Sequence, residues 1–261
     1  MGLTYESTQK SSLKDLFNVE KQNEEDFVIA LAGNPNTGKS TVFNSLTGLH
    51  QHTGNWPGKT VTNAQGFYNY KNKGFVVVDL PGTYSLLASS AEEIVARDFI
   101  CFGRPDAVVV VLDATCMERN LNLLLQIQEI TSKVIVCLNL MDEAKRKNIK
   151  IDTNKLSKYL GVPVIPAVAR ENKGIKKLKD DILKMCLNYI DTKQIEIKYS
   201  QDIEDILSNI VPKLEKIFKN KIPSRWLALR MLDGDKSIIE SISKYLHYDL
   251  VNMMEEKNKI S

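Results

Sequence analysis

The sequence predicts an α/β fold with a mostly parallel sheet covered by helices on both faces, followed by a small all-α domain. From Phe27 onward, short β-rich apolar runs alternate with longer helical patterns, as in an α/β domain with a parallel sheet. After about residue 194 only helical spacing continues. With 261 residues, 43% of them hydrophobic, the chain can form one large domain and a smaller one. We therefore expect an N-terminal extension over 1–26, an α/β domain over 27–194 and a helical domain over 195–261.

The elements of the α/β domain are expected in the following order. Predicted strands cover residues 27–32, 61–70, 75–79, 107–112, 133–138 and 162–166. Predicted helices cover residues 39–47, 91–102, 120–130, 153–160 and 175–190, and Asp152 caps the fourth. Residues 71–74 form a hairpin turn, so the strands on either side should be antiparallel. Residues 49–60 are polar and lack periodicity, and we expect a long loop there that moves.

The predicted helical domain begins with a helix over about 203–218, which Pro212 should kink or divide. A second helix is expected over 224–232, and Asp235 should cap a third. Residues 1–26 lack a clear period, so we expect them to form a loosely held extension.

Composition and charge exclude several classes of protein. The net charge of +3, from 35 basic and 32 acidic residues, indicates no broad attraction to nucleic acid. The four cysteines are widely spaced without a C-x-x-C pair, so we expect reduced core thiols rather than disulfides or zinc ligands. The N-terminus lacks the apolar core of a signal peptide. The longest aliphatic run, residues 107–112, is far shorter than the ~20 residues of a spanning helix, so we expect a soluble chain.

Residues 33–40 read G-N-P-N-T-G-K-S and lie between a predicted strand and a predicted helix. This context is typical of a phosphate-binding loop, in which glycines let backbone N–H groups face one anion and the helix adds its positive end. Lys39 would contact the β- and γ-phosphates, and the Ser40 hydroxyl would bind Mg²⁺. The alternative is a glycine-rich turn with an exposed lysine. The nucleotide-binding residues expected here are Gly33, Asn34, Pro35, Asn36, Thr37, Gly38, Lys39, Ser40 and Thr41.

The segment Asp79-Leu80-Pro81-Gly82 follows the strand predicted at 75–79. Ligands of open α/β sheets bind at the carboxyl ends of strands. Asp79 is therefore placed to hold Mg²⁺ through water, and the Gly82 N–H to contact a γ-phosphate. Without the phosphate-binding loop, an ordinary Pro-Gly turn would be the preferred interpretation.

The segment Asn139-Leu140-Met141-Asp142 follows the strand predicted at 133–138. A carboxylate at Asp142 can accept hydrogen bonds from N1–H and the exocyclic amine of guanine, a donor pair that adenine does not present. Val168 and Ala169 follow the next strand, where the backbone N–H of a small residue could contact guanine O6. An N-x-x-D pattern alone is common, so the prediction that Asn139 and Asp142 bind the base depends on their position after a strand.

In order, G-N-P-N-T-G-K-S, Thr60, D-L-P-G, N-L-M-D and V-A-R resemble the five motifs of translation-factor-like GTPases. Residues 54–61, 79–86 and 225–229 are more narrowly similar to the cytosolic N-terminal domain of the FeoB family of bacterial ferrous iron transporters. The resemblance covers about residues 27–250. It implies a P-loop GTPase domain and a helical domain like a guanine-nucleotide-dissociation inhibitor. It also implies GTP or GDP with Mg²⁺ as ligands. It further implies that this chain lies at the cytoplasmic face of the bacterial inner membrane, attached to a membrane domain that is absent from this chain.

The resemblance implies roles for further residues. Thr60 would contact Mg²⁺ and the γ-phosphate in the triphosphate state. Asn36 and the carbonyls of Gly54 and Trp56 would bind K⁺, whose charge could assist hydrolysis. The alternative for Asn36 is a turn-stabilising role. The expected catalytic residues are Asn36, Lys39, Thr60 and Gly82, and the expected Mg²⁺ ligands are Ser40, Thr60 and Asp79.

Three residues depart from the pattern of such GTPases. Thr83 stands where many of them carry a Gln that orients the attacking water, Leu140 replaces the Lys of N-K-x-D, and Ala169 replaces a Ser of some relatives. Because these contacts are missing, we expect slow intrinsic hydrolysis and fast nucleotide exchange.

Five other residues have two interpretations each. Trp56 is either a core residue or the hydrophobic anchor of the moving segment. His50 and His52 are expected to be solvated loop residues rather than metal ligands, because no Cys or carboxylate partner lies near them in the sequence. Glu92 and Glu93 either favour the helix dipole or, as the resemblance implies, belong to a hydrogen-bond network behind the switch segments.

The predicted function is a GTP-hydrolysing switch that regulates Fe²⁺ uptake by an attached membrane domain. One alternative is a ribosome-assembly or RNA-associated GTPase, which would need a G-x-x-G loop or a basic appendage, and residues 195–261 show neither. Another is a nucleotide-gated interaction module with incidental hydrolysis. Guanine nucleotide and the transporter's own membrane domain are the expected partners, nucleic acid is not, and a homo-oligomer stays open.

Overall fold

A computed structural model describes residues 16–48, 51–87, 89–193, 197–219 and 221–246. They form two compact units that divide between residues 196 and 197. Within the described residues, no helix has the length and the apolar character that crossing a membrane requires.

The first unit contains a seven-stranded sheet with the spatial order β2-β3-β4-β1-β5-β6-β7. The pairs β1–β4, β1–β5, β5–β6 and β6–β7 are parallel, whereas the pairs β2–β3 and β3–β4 are antiparallel. The prediction of a mostly parallel sheet is therefore confirmed. The strands are β1 Phe27–Gly33, β2 Gln51–Asn55, β3 Thr62–Tyr70, β4 Lys73–Asp79, β5 Ala107–Asp113, β6 Val134–Asn139 and β7 Val164–Pro166.

Helices alternate with the parallel strands in the first unit, and helices alone form the second. All residues of β6, and all of β5 except Asp113, are buried, so the central strands are covered on both faces. In the first unit the helices are α1 Lys39–Thr47, α2 Ala91–Asp98, α3 Met117–Ile130, α4 Met141–Arg146, α5 Thr153–Leu160 and α6 Ile175–Cys186. In the second unit they are α7 Gln201–Phe218, α8 Ser224–Leu232 and α9 Lys236–Leu246.

The segment 49–60, predicted as a loop without regular structure, contains strand β2. The prediction is wrong for Gln51–Asn55, which pair antiparallel with β3. These residues are polar and exposed where their side chains are described, so neither hydrophobic alternation nor β-propensity marked them as a strand. Pairing with the edge of the sheet, a tertiary interaction, provides their backbone partners.

Several other element boundaries differ from the prediction, among them those of α2 and of the β3–β4 turn. The helix predicted over 91–102 is α-helical only to Asp98 and continues as a π-helical turn, Phe99–Gly103. The hairpin turn between β3 and β4 has two residues, Lys71 and Asn72, both in the left-handed region with φ of 47° and 61°.

The structure contains both predicted helix caps, but the helix that contains Pro212 is not divided. Asp152 caps α5, since its carboxylate accepts from the Lys155 N–H at 2.9 Å, as predicted. Asp235 likewise accepts from the Ser237 N–H at 3.0 Å ahead of α9, also as predicted. Pro212 does not divide its helix, because α7 continues through it to Phe218.

The described part of the N-terminal extension packs against the fold. Phe17 and Val19 are buried, so the prediction of a loosely held segment is wrong for residues 16–26. Residues 1–15 lie outside the described part of the chain. Of the four cysteines, Cys101, Cys137 and Cys186 are buried as expected, whereas Cys116 is exposed because it lies at the start of α3.

The second unit is held by an apolar core and by an ion pair between its first two helices. Leu207 and Leu214 of α7, Trp226 of α8 and Ile242 of α9 are buried. The Arg225 guanidinium donates to both carboxylate oxygens of Glu204 at 2.7 and 3.0 Å and to the Ile197 carbonyl at 2.9 Å. The hydrogen bonds from Arg225 lower the pKa of Glu204 to about 2. 

Gly66 of β3 marks a close approach of the sheet to α1. A Cβ at this position would clash with Cγ2 of Thr47 and lie 2.9 Å from Cζ of Phe43. We predict that Gly66→Ala lowers the free energy of unfolding by about 1–3 kcal/mol, because helix and strand must separate. Urea denaturation monitored by circular dichroism measures this change.

Gly54→Ala is the matched control for this prediction. Gly54 also lies in a strand, but no atom lies within 4 Å of its added Cβ. Its substitution should change the stability by no more than about 0.5 kcal/mol. Equal losses in the two variants would contradict the close approach at Gly66.

Candidate functional site

The predicted site residues lie at one edge of the sheet. The loop 34–38 follows β1, Asp79 ends β4 and Asn139 ends β6. Since these strands are parallel, their carboxyl ends meet at the same edge. Helix α1 begins immediately after the loop, so its positive end also points to this edge.

The loop after β1 requires backbone angles that glycine and asparagine adopt more readily than other residues. Asn36 and Gly38 are left-handed, with φ of 67° and 79°. Thr37 Oγ1 donates to the Asn34 carbonyl at 3.0 Å, which closes the turn inside the loop. A Cβ at Gly33 would lie only 2.8 Å from the Val111 carbonyl oxygen. A left-handed residue within such a turn lets successive N–H groups converge on an anion.

Lys39 and Asp79 form an ion pair that joins the start of α1 to the end of β4. Lys39 Nζ contacts Asp79 Oδ1 and also donates to the Leu80 carbonyl at 2.7 Å. The two side chains are only 11% and 17% exposed, so water screens their charges weakly. Burial raises the pKa of the Asp79 carboxyl, and the charge of Lys39 opposes that shift.

The segment after Asp79 lies against the loop that follows β1. A Cβ at Gly82 would lie 3.5 Å from the Pro35 nitrogen and 3.6 Å from its Cα. The structure therefore brings together Lys39, Asp79, Gly82 and the loop, as the motif spacing predicts. Thr83, which follows Gly82, is buried.

The Asn139 side chain connects two loops of the site. Its Nδ2 donates to the Thr37 carbonyl at 3.1 Å, and its Oδ1 accepts from the Ala169 N–H at 3.0 Å. Ser45 Oγ of α1 donates to the Ala169 carbonyl at 3.0 Å. These contacts show Asn139 as a residue that positions backbone, and its predicted contact with nucleotide stays a prediction.

The backbone N–H groups predicted to face guanine O6 already have partners in the structure. The Ala169 N–H donates to Asn139, and the Val168 N–H donates to the Lys173 carbonyl at 3.1 Å. A base contact from either group would share or replace one of these bonds.

Asp142 has one engaged and one unengaged carboxylate oxygen. Its Oδ2 is in contact with Arg170 Nη2. Its Oδ1 is buried and, among the described residues, has no hydrogen-bond partner. An unpaired buried acceptor costs free energy and is rare in folded proteins, so this oxygen is suited to a ligand donor.

Arg170 was not predicted as a site residue, although it is the third residue of the V-A-R motif. A basic side chain next to the predicted base contacts was a usable signal in the sequence. The exposed Arg170 guanidinium holds Asp142 and also lies 3.8 Å from Glu143.

The predicted switch segment forms the turn of the β2–β3 hairpin. The Trp56 N–H donates to the Val61 carbonyl, and the Lys59 N–H donates to the Trp56 carbonyl, both at 3.0 Å. Trp56 is buried and Thr60 is exposed. Gly54 lies opposite Asn63 in the strand pair.

The structure does not bring the switch residues to the phosphate-binding loop. Across the described ranges, no hydrogen bond links Gly54, Trp56 or Thr60 with Asn36 or Ser40. Their predicted shared metal ligation stays a prediction that needs the segment to move.

The segment after Gly82 is tied to α2 and α3. Ser85 Oγ and the Ser89 N–H donate to the two carboxylate oxygens of Glu93, each at 2.8 Å. The Leu86 N–H donates to Gln126 Oε1 of α3 at 2.6 Å. Of the two predicted acidic residues, Glu93 therefore takes part in a network, whereas Glu92 is exposed at the helix start. Gln126 was not anticipated from the sequence.

Two family models match the chain. The model described as ferrous iron transport protein B covers residues 27–182, and the FeoB cytosolic helical domain covers residues 199–260. The chain belongs to the FeoB family. Its fold is that of a P-loop GTPase domain followed by a helical domain.

The curated FeoB relatives are much longer than this chain. The Fe(2+) transporter FeoB of Escherichia coli K12 is 41% identical over 79% of this chain and 27% of its own length. That of Methanocaldococcus jannaschii is 45% identical over 83% of this chain and 32% of its own length. The chain thus spans about a third or less of these FeoB transporters.

Solved FeoB structures resemble this chain over most of both lengths. The cytosolic domain of the T. maritima FeoB iron transporter in a GDP form has a TM-score of 0.76 and 37% identity, over 84% of this chain and 85% of that one. An S. thermophilus NFeoB mutant bound to mGDP has a TM-score of 0.72 and 35% identity, over 80% of each chain.

The donors at this FeoB site fit Mg²⁺ better than a transition metal. The exposed hydroxyl of Ser40 and the carboxylate of Asp79 are hard oxygen donors next to the anion-binding loop. Within the described ranges no group of three or more His, Cys, Asp or Glu side chains could hold a metal ion. His52 is exposed on β2, and His50 lies outside the described residues.

We predict that Asn139→Ala lowers the free energy of unfolding by about 2–4 kcal/mol. The reason is that the buried Thr37 carbonyl and the Ala169 N–H both lose their partner, at about 1–3 kcal/mol for each unsatisfied group. Chemical denaturation without nucleotide measures the loss.

Asn122→Ala is the control for this prediction. Its side chain is exposed and its hydrogen bonds are 3.5 Å long, so the variant should retain the parent stability. If the two variants are equally stable, Asn139 does not hold the two loops together.

Proposed function

We propose that this chain binds GTP and GDP with Mg²⁺ and hydrolyses GTP to GDP and phosphate. We further propose that, in the full-length protein, its nucleotide state regulates Fe²⁺ uptake by an attached membrane domain. The observation that carries the nucleotide proposal is the Oδ1 of Asp142, which is buried without a partner among the described residues and lies at the same sheet edge as the Lys39–Asp79 pair. One end of the site can accept hydrogen bonds from a base, and the other can hold phosphate.

At the base end, the carboxylate of Asp142 would select guanine. Guanine N1–H and its exocyclic amine are adjacent donors, which match the two oxygens of one carboxylate. Oδ1 has no partner to release among the residues that the structure describes. Oδ2 can accept a second hydrogen bond beside Arg170 because each carboxylate oxygen has two lone pairs. Adenine offers no such donor pair, so it would leave the buried oxygen unsatisfied.

At the phosphate end, the N–H groups of the non-proline residues of the loop and of the start of α1 would surround the β-phosphate. Lys39 would turn from Asp79 and Leu80 to phosphate oxygens, and the freed carboxylate would face the Mg²⁺ position with the Ser40 hydroxyl. The Gly82 N–H, against the same loop, would contact the γ-phosphate. Bound Mg²⁺ would neutralise charge that develops on the phosphates.

The switch residues would join the site only after the hairpin turn moves. Thr60 is exposed in that turn, where its hydroxyl is accessible to a phosphate or Mg²⁺ once the segment closes. Asn36, with the Gly54 and Trp56 carbonyls, would then provide oxygen donors for K⁺. The ion would supply positive charge near the phosphates, which these segments lack because residues 33–60 contain no arginine.

The role in iron uptake is proposed from the relatives. The curated FeoB relatives bear the name Fe(2+) transporter and extend far beyond the length of this chain. We therefore propose that the chain acts at the cytoplasmic face of the bacterial inner membrane, next to the transporter's own membrane domain. We also propose that the G domain spans 27–194 and the helical domain 195–261.

We predict that Asp142→Asn weakens binding of GTP and GDP at least tenfold. The neutral amide replaces one carboxylate oxygen with a donor, which faces a guanine donor. Xanthine carries a carbonyl where guanine has its amine, so XTP should gain affinity for the same variant. Isothermal titration calorimetry with the three nucleotides measures both changes.

Glu143→Gln is the matched control, since it removes the neighbouring negative charge without altering Asp142. It should keep the parent preference for GTP over XTP. Unchanged GTP affinity in Asp142→Asn would refute the proposed base contact.

We predict that K⁺ accelerates GTP hydrolysis over Na⁺ by about tenfold or more, equivalent to about 1.4 kcal/mol off the barrier. The cause would be the oxygen donors of Asn36 and the closed switch segment, which suit a large monovalent ion. Multiple-turnover phosphate release in KCl and NaCl at matched ionic strength measures the ratio. Equal rates in the two salts would contradict K⁺ activation.

Two substitutions at Asn36 separate the effect of losing its side-chain oxygen from the effect of backbone strain. Asn36→Ala should abolish the K⁺ advantage while sparing GDP binding. Because Asn36 is left-handed, Asn36→Gly also removes the side-chain oxygen but without strain at positive φ. Loss of the K⁺ advantage in Asn36→Ala alone would show that strain, and not the missing oxygen, causes the effect.

A further inference from the structure

The segment before β1 contacts the switch hairpin through Phe17. The Phe17 ring lies 6.3 Å from the Trp56 ring at 83° and 5.3 Å from the Phe99 ring at 86°. Trp56 and Phe99 are themselves 5.4 Å apart at 66°. The three rings are each 3% exposed or less, and edge-to-face pairs of this kind stabilise packing beyond simple burial. Phe17 thus joins the switch hairpin to the π-helical turn after α2.

The backbone of the same segment is held on β3. Gln65 Nε2 donates to the Asn18 carbonyl at 2.7 Å, and Gln65 Oε1 accepts from the Glu20 N–H at 3.1 Å. Next to this clamp, a cavity of about 340 Å³ is lined by residues of the segment, such as Asn18, and of the hairpin, such as Gly54. The segment is therefore held by the Phe17 ring, the Gln65 amide and the buried Val19 side chain.

In this conformation, two polar groups of Trp56 are either engaged within the protein or left without a hydrogen bond. Its carbonyl, one of the proposed K⁺ donors, accepts from the Lys59 N–H within the turn. Its indole Nε1–H is buried without a partner among the described residues, which costs free energy. The packing of the three rings must outweigh that cost. The equilibrium between this position of Trp56 and any other is therefore sensitive to the loss of one ring.

We infer that Phe17 is a positioning residue that holds Trp56 in the open hairpin and opposes closure of residues 54–60 over nucleotide. The inference rests on the proposed GTPase function. Without the Phe17 ring, the hairpin would leave this open position and close over nucleotide more often, and the carbonyls and Thr60 would reach the phosphates more often. The N-terminal segment would then set the rate of the switch, and a partner that removed it would activate hydrolysis.

The test compares Phe17→Ala and Phe17→Leu with Phe27→Ala as the matched control. Phe27→Ala removes the same ring from a pair with Phe75, 5.6 Å apart at the start of β1. Amide hydrogen exchange without nucleotide measures how often the backbone hydrogen bonds of residues 51–61 break. Steady-state GTP hydrolysis in KCl reports the reaction, with kcat and KM determined separately. Thermal unfolding confirms that each variant is folded.

In Phe17→Ala we expect exchange at residues 51–61 and kcat in KCl each to rise about threefold to tenfold, the size of one lost aromatic pair. Phe17→Leu, which keeps apolar volume, should lie between Phe17→Ala and the parent, and Phe27→Ala should match the parent in both. Unchanged exchange in Phe17→Ala would overturn the inference, as would faster exchange with unchanged or lower kcat. If the parent protein shows no hydrolysis, the proposed function fails, and the exchange result alone decides whether Phe17 holds the hairpin.

Discussion

The side-chain amide of Asn139 is the contact on which the arrangement of the candidate site depends. It links the Thr37 carbonyl, 102 residues earlier, with the Ala169 N–H, 30 residues later. It also occupies the space next to residue 38, where a Cβ would clash with Nδ2, so glycine is required there for steric as well as conformational reasons. A single buried amide therefore fixes the distance between the phosphate-binding loop and the loop after β7.

Around this contact, the site contains charges and acceptors that are only partly satisfied within the protein. Lys39 is paired with Asp79, and one oxygen of Asp142 with Arg170, while Asp142 Oδ1 and Asn34 Oδ1 are buried without partners among the described residues. Folded proteins satisfy nearly all such atoms, so two at one sheet edge are a cost that a ligand can remove. Ligand binding would, however, also replace the Lys39 ion pair, and part of the binding free energy offsets that loss.

The switch hairpin, formed by β2, β3 and the turn between them, is weakly held at this edge of the sheet. Strand β2 is paired on one side only, and its described side chains are exposed. Edge segments with few buried contacts open at low free-energy cost. The Trp56 ring is the exception, because it is buried between Phe17 and Phe99. Our inference therefore assigns the control of hairpin motion to Trp56 and its two aromatic neighbours.

The sequence by itself determined the fold class, the alternation of strands and helices along the first unit, and the segments that meet at the candidate site. These features depend on local patterns: apolar runs such as 107–112, the G-N-P-N-T-G-K-S loop, and polar segments that follow strands. The cap at Asp152 was predictable for the same reason, since a capping side chain bonds to backbone only three residues away.

Only the tertiary structure decided how the polar side chains pair and where the polar segments lie. Strand β2 has no sequence pattern and forms because the edge of β3 offers backbone partners. The burial of Phe17, the bridge made by Asn139 and the contact of Arg170 with Asp142 join residues that are distant in the chain. Periodicity and spacing report local geometry, whereas such contacts depend on which surfaces the folded chain brings together, and that information is present only in three dimensions.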